Sequence, residues 1–244
     1  MEKYNIVFIE TEWARAEILG RRAEDFVLRE FSSFGASVAR MVKKSAYKEE
    51  CVLLPDCVNV VLELDMPLVK LKDITSLADR MKRNKINCVR LGSKDALSKI
   101  CIGKDTSGGV FSSSQAFFKI DDAKSFNLVY NRLKDEILDE MLSRGVKIFD
   151  KATTFIDDTA VIESGATILP FTRIEGESAI SAQSVVGASY IKDSVIDGAN
   201  VEWSHIVCSH VHARDCRSVC KTQKSGNRRR LQSRRFCGSE SVRT

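Results

Sequence analysis

Apolar residues follow three successive rhythms along this chain. The first begins with Ile6-Val7-Phe8-Ile9, an uninterrupted and largely β-branched run that suits a strand covered on both faces. Phe26, Val27 and Phe31 then recur near helical spacing between Ala23 and Phe34, and Gly35 stands where such a helix stops. Ser37 to Val42 and Val58 to Leu64 are further strand candidates, the second running into Asp65-Met66-Pro67. From Ile74 to Met81 the apolar side chains share one helical face, and Cys88-Val89-Arg90-Leu91 follows as a short strand. This alternation predicts an α/β domain with a mainly parallel sheet, closing in loops around Thr106-Ser107-Gly108-Gly109 and Ser112-Ser113-Ser114.

The second rhythm is one long helix from Asp122 to Arg144. Phe126, Val129, Leu133, Ile137 and Met141 form its apolar stripe, and Gly145 sits where a left-handed residue ends a helix. It is expected to be an arm between two domains.

The third rhythm has a period of six. Ile156, Ile162, Ile168, Ile174, Ile180 and Val186 form an unbroken aliphatic comb, and Ala160, Ala166, Thr172, Ser178 and Ser184 stand four places after its first five teeth. A 3.6-residue period cannot produce this pattern. A triangular parallel β-helix requires it, with one inward aliphatic per flat side and a small residue at the crowded corner. From Ile191 the spacing shortens to five through Ile196, Val201, Ile206 and Val211, which predicts tighter corners. Because one coil cannot bury its own apolar side, coils must stack. About three are expected.

Composition sharpens the picture. With 244 residues and 43% apolar content the chain can bury a real core, which excludes whole-chain disorder and a small disulfide scaffold. No apolar run approaches the roughly 18 residues of a membrane helix, and Met1-Glu2-Lys3-Tyr4-Asn5 lacks a signal-peptide layout, so a cytoplasmic protein without membrane partners is expected. The eight cysteines, at 51, 57, 88, 101, 208, 216, 220 and 237, show no framework spacing and are expected to be mostly reduced. The net charge of +5 is unevenly placed: ten Arg or Lys face two Asp or Glu from Arg214 onward, leaving 28 basic and 31 acidic groups in the other 213 residues. The body is slightly acidic and the basicity is one tail.

The βαβ pattern with Leu62-Glu63-Leu64-Asp65-Met66-Pro67-Leu68, the helix running into Ser143-Arg144-Gly145-Val146-Lys147-Ile148, and the hexapeptide comb together resemble a bacterial bifunctional family. Its members carry N-acetylglucosamine-1-phosphate uridylyltransferase and glucosamine-1-phosphate N-acetyltransferase activities and make UDP-N-acetylglucosamine. The resemblance is strong over Asp121 to Val211 and weak over Met1 to Ile120. It implies a shrunken nucleotidyltransferase (Rossmann-like) domain at 1–120, an arm at 121–148 and a left-handed parallel β-helix at 149–213. The family's partners would be UTP, an amino-sugar phosphate and two further copies of the chain in a homotrimer.

In the family, the first strand leads into a glycine-rich loop that holds the nucleotide phosphates. Here the stretch is Phe8-Ile9-Glu10-Thr11-Glu12-Trp13-Ala14-Arg15, without glycine and with two acids that would repel an anion. Gly20-Arg21 resembles the next landmark but arrives too early. Uridylyl transfer is therefore expected to be lost or impaired, leaving a truncated enzyme or a catalytically dead scaffold for the β-helix.

Asp65 matches the family aspartate that holds Mg2+ at the carboxyl end of a strand, and Asp121 matches its second metal ligand. Otherwise Asp65 opens the Met66-Pro67 turn and Asp121 is an acid favoured at a helix N-terminus. The family's acetyl-CoA contacts and catalytic histidine lie in later coils, so the acetyl-CoA site is expected to be absent from this chain. None of His205, His210 or His212 lies in that catalytic context.

His205, Cys208, His210, His212, Cys216 and Cys220 invite a zinc hypothesis, but their spacing fits no standard ligand pattern, and side chains two apart on a coil edge are expected to point in opposite directions. Nucleic-acid binding by the tail, with Arg228-Arg229-Arg230 and Arg234-Arg235, is also disfavoured, because Phe236 is its only aromatic and no groove-reading helix pattern is present.

A shifted reading frame explains the tail better. Read one nucleotide later from Arg217, permitted codons give Asp-Pro-Phe-Ala-Lys-Leu-Arg and later Val-Gly-Asp-Phe-Val-Glu-Val-Lys, which resembles further family coils. Residues 214–244 are thus expected to be a disordered, out-of-frame segment, through a sequencing error or a genetic lesion. The coding DNA around Cys216 decides it: if no one-base shift restores hexapeptide text, the idea is wrong.

Overall fold

A computed structural model describes residues 3–32, 38–47, 52–92, 97–104, 106, 110–112, 117–212 and 221–222. The chain divides into two compact units, Met1–Ile137 and Leu138–Thr244.

The first unit is built on a six-stranded sheet in the order β4-β1-β5-β7-β6-β8. Strand β1 (Tyr4–Glu10) is flanked in parallel by the edge strand β4 (Val38–Lys43) and by β5 (Val58–Glu63). Ile6, Val7 and Ile9 of β1 and Val60, Val61 and Leu62 of β5 are all buried, as strands covered on both faces must be. Helices α1 (Ala23–Ser32) and α2 (Leu71–Arg83) contribute Phe26, Val27, Phe31, Ile74, Leu77 and Met81 to the core. The hairpin of β2 (Glu17–Ile18) and β3 (Arg21–Arg22) turns at Leu19-Gly20, both at positive φ, so Gly20 serves a tight turn.

The sheet is mainly parallel, as the sequence pattern predicts, with one strand of the six reversed. Strand β7 (Lys99–Ile102) inserts antiparallel between β5 and β6 (Cys88–Leu91), and β8 (Val110–Ser112) adds in parallel at the edge. Directly opposite each other across β6 and β7, Cys88 and Cys101 form a disulfide, an exception to the expected reduced state, whereas Cys57 and Cys208 are free.

Helix α3 (Ala123–Ser143) is capped reciprocally: the Ser125 N–H donates to Asp122 Oδ1 at 2.6 Å and the Asp122 N–H donates to Ser125 Oγ at 2.9 Å. The Ser125 N–H and hydroxyl, both donating to Asp122 Oδ1, hold that carboxyl below its ordinary range. At the other end Gly145 takes φ +92°, and the Val146 N–H returns to the Met141 carbonyl.

In the second unit the chain visits three parallel sheets in rotation. One contains β9 (Lys147–Ile148), β12 (Thr167–Ile168), β15 (Val185–Gly187) and β18 (Asn200–Glu202); the next β10 (Phe155–Ile156), β13 (Arg173–Glu175), β16 (Tyr190–Lys192), β19 (His205–Val207) and β21 (Lys221–Thr222); the third β11 (Val161–Ile162), β14 (Ala179–Ile180), β17 (Val195–Asp197) and β20 (His210–His212). The described residues make four circuits, not about three, and β21 adds a fifth strand to the second sheet. Apart from Lys221 and Thr222, the expected out-of-frame tail after Arg214 lies outside the described residues.

Register explains the comb. Ile156 pairs with Ile174 and that with Ile191, Ile162 with Ile180 and that with Ile196, so aliphatic side chains stack in buried columns. The small residues are buried too and satisfy backbone groups of the next circuit: Ser189 Oγ accepts from the Ser204 N–H and Ser194 Oγ from the Ser209 N–H, both at 3.0 Å. Left-handed residues turn corners at both spacings, with Gly165, Phe171, Gly176 and Gln183 in the six-residue sides. Ala188, Asp193, Gly198, Trp203 and Cys208 all have positive φ, so each five-residue side closes through one left-handed residue.

Ala188 incurs a steric cost at φ 43° that glycine avoids. Ala188→Gly is expected to stabilise the second unit by roughly 0.5–1 kcal/mol, read as a rise in its urea midpoint. A fall in the midpoint would show that this corner carries no strain.

Candidate functional site at the carboxyl ends of the central strands

The carboxyl ends of β1 and β5 bring together Thr11, Glu63, Asp65 and Lys119, the position where open α/β sheets commonly place ligands. Glu63 and Asp65 come from the end of β5 and the turn after it, and are fully or almost fully buried. Lys119 belongs to the extended segment before α3, whose Ile120 N–H donates to the Asp65 carbonyl at 2.9 Å. Its Nζ donates to Glu63 Oε1 at 2.6 Å and lies 3.8 Å from Asp65 Oδ2. Glu63 Oε2 also accepts from the Leu97 N–H at 2.8 Å.

Burial pushes the Asp65 carboxyl up to about 6, with the neighbouring Glu63 charge adding to the rise, while the Thr11 hydroxyl and the Lys119 ammonium pull the other way. Thr11 sits beside the carboxylate but outside hydrogen-bond geometry, so Thr11 Oγ1 and Asp65 Oδ1 are both buried without a partner. Burial by itself would lower Lys119; the Glu63 hydrogen bond and the charges of Asp65, Glu63 and Asp121 outweigh it and hold the ammonium above its ordinary range.

Asp121, the other expected metal ligand, is exposed, and its Oδ1 lies 2.8 Å from Ser125 Oγ in the capping cluster of α3. The structure thus brings Asp121 near Lys119 but does not gather it with Asp65 into a group of metal ligands. As a Mg2+ site the pair fits poorly. Mg2+ asks for near-octahedral oxygens and retains several waters, whereas Asp65 is enclosed and already faces an ammonium.

Beyond Glu10 the chain turns through a short 3-10 helix, Glu12–Arg15, instead of a phosphate-holding loop. Arg15 is turned back onto Glu10, with Nη2 to Oε1 at 2.6 Å. Ala14 is buried and Trp13 packs near Phe126, with ring centroids 6.2 Å apart.

Sequence reasoning missed Lys119 and Glu63. Glu63 had a signal, being the one charge in an otherwise apolar strand end. Lys119 had none, because its partner is 56 residues away.

In the second unit, Asp197, His210 and His212 are exposed, with ligand-type atoms within 4.8 Å of one another. His210 and His212 lie on the same face, rings 4.1 Å apart, which corrects the expectation that they diverge; residues two apart in a strand share a face. His205 instead stacks on Tyr190 at 4.8 Å.

Fold and site together define a class: an α/β domain with a ligand-type sheet end, followed by a repeat of parallel circuits. Over part of its length the chain is similar to bifunctional proteins named GlmU. It is 37% identical to that of Cyanothece sp. over 91 residues, covering 37% of this chain and 20% of the relative. The GlmU of Bifidobacterium longum subsp. infantis is 38% identical over 87 residues, covering 35% and 18%, and that of Syntrophomonas wolfei subsp. wolfei 32% over 107, covering 42% and 24%. The chain spans about a fifth of the length of these relatives. No family model matches it. Among the described residues, no helix is long and apolar enough to cross a membrane.

Proposed function

We propose that this chain is a divergent relative of the enzymes that make UDP-N-acetylglucosamine, in which uridylyl transfer is lost or severely impaired. In this reading the first unit is a shrunken nucleotidyltransferase-like domain and the second a left-handed parallel β-helix of hexapeptide coils that assembles as a homotrimer. The observation that carries the reading is the turn after β1. A nucleotide triphosphate needs backbone amides brought close to its oxygens, and here every residue from Glu10 to Arg15 bears a Cβ. Glu10 and Glu12 add negative charge, and the nearest arginine is committed to Glu10. The first unit then serves as a scaffold for the coils.

The test is pyrophosphate release from UTP and N-acetylglucosamine-1-phosphate in the presence of Mg2+. No turnover above background at high protein concentration is expected. Turnover at rates typical of enzymes, about 1 per second or faster, would overturn the reading.

A second reading retains the activity, favoured by the unpartnered Asp65 Oδ1. In that reading Asp121 would have to leave its Ser125 cluster to join Asp65 around Mg2+, which neutralises phosphate charge, and Asp65→Ala would abolish the turnover found.

A further inference from the structure

The geometry points to a divalent transition-metal site on the outer face of the second unit, formed by Asp197, His210 and His212. The ladder builds it. Strands β17 and β20 pair in register with Asp197 opposite His212 and Val195 opposite His210. Val211 is buried between the two histidines, which therefore both face outward, and Asp197 enters the same face from the preceding circuit. His212 Nδ1 lies 2.9 Å from Asp197 Oδ2, and one donor atom from each of the three residues falls within 4.8 Å of the others. Among the described residues this is the only such group of three His, Cys, Asp or Glu side chains.

Two imidazoles and one carboxylate suit Zn2+, and also Ni2+ or Cu2+, whereas Mg2+ and Ca2+ favour oxygen-only shells. About half of the His212 and Asp197 side-chain surfaces is open, at 49% and 53%, so water can fill a fourth position. Small rotations of such exposed side chains bring donors to the roughly 3.3 Å separations of tetrahedral coordination at about 2.0–2.1 Å. Behind the carboxylate, the Ser181 hydroxyl of the preceding circuit accepts from the Gly198 N–H at 2.8 Å and so ties down the backbone next to Asp197. An ion held here would link two successive circuits and stabilise their stacking through binding.

Zn2+ titrated calorimetrically into the full chain, stripped with chelator and with its accessible cysteines alkylated, is expected to bind one ion per chain with micromolar affinity. It should also raise the melting temperature of the second unit. His210→Ala with His212→Ala should weaken binding about a hundredfold or more, Asp197→Asn about tenfold, and Cys208→Ser not at all. Substitution by Co2+ should give an absorption spectrum without thiolate charge transfer. Unchanged affinity in the double histidine variant, loss of binding on alkylation, or a thiolate band would each overturn the proposal; circular dichroism of the variants confirms that the ladder is intact.

Discussion

Replacing Lys119 with Met is expected to destabilise the first unit by about 3–5 kcal/mol at neutral pH, because it strands two carboxyl groups in the protein interior. Glu63 and Asp65 are almost entirely removed from solvent, and the Lys119 ammonium is the cation between them, 2.6 Å from one and 3.8 Å from the other. Met fills a similar volume, so lost packing contributes little and the effect is electrostatic. Each unit contains one of the two tryptophans, Trp13 in the first and Trp203 in the second. Fluorescence of Trp13 in a Trp203→Phe background therefore follows the relevant unit in urea. Pairing Lys119→Met with Glu63→Gln should recover part of the loss, since the two partners are in contact and their effects do not add. A loss below about 1 kcal/mol in the single variant would mean that Lys119 is a surface group without structural weight.

That cluster also marks the limit of what could be read from sequence. Strands β1 and β5 announce themselves because strands covered on both faces are apolar throughout, and Asp65 is conspicuous as the acid that ends such a run. The coils are legible because a three-sided ladder repeats the same inward residue, as the register of Ile156, Ile174 and Ile191 shows. Strand β7 was invisible as an antiparallel insertion: Lys99–Ile102 is too short to carry a pattern, and its place depends on pairing with β5 about 40 residues earlier. Distance along the chain hid Lys119 from Glu63. It likewise hid Asp197 from the two histidines, which meet it only because one circuit of the ladder brings residues fifteen apart into register. The spacing argument against a metal considered ligands along one strand, whereas stacking recruits them across strands.

Replacing Asp65 with Asn is expected to stabilise the first unit above pH 6 and to leave it unchanged in acid, a response opposite to that of most buried, paired carboxylates. Burial lifts the folded-state pKa to about 6, against about 3.9 in an unfolded chain. Between these values the folded protein retains a proton that the unfolded chain has released, so stability falls as pH rises through the window. Below about pH 4 both states are protonated and no penalty exists; above pH 6 both are ionised and the whole penalty is present. A difference of roughly two pKa units corresponds to up to about 3 kcal/mol. Asn has the shape of the protonated carboxyl and escapes that penalty, so its advantage over the wild type should grow from nothing near pH 4 to about 1–3 kcal/mol at pH 8, read from Trp13 unfolding midpoints. Equal stability at pH 8, or a loss there, would show that Asp65 is not held at a cost. The expected gain has a functional meaning under the proposed reading. A charge kept at the carboxyl end of the central strands against the fold's own preference is what a binding site requires, and in a unit whose phosphate loop has gone, that charge is left as a liability only partly offset by Lys119.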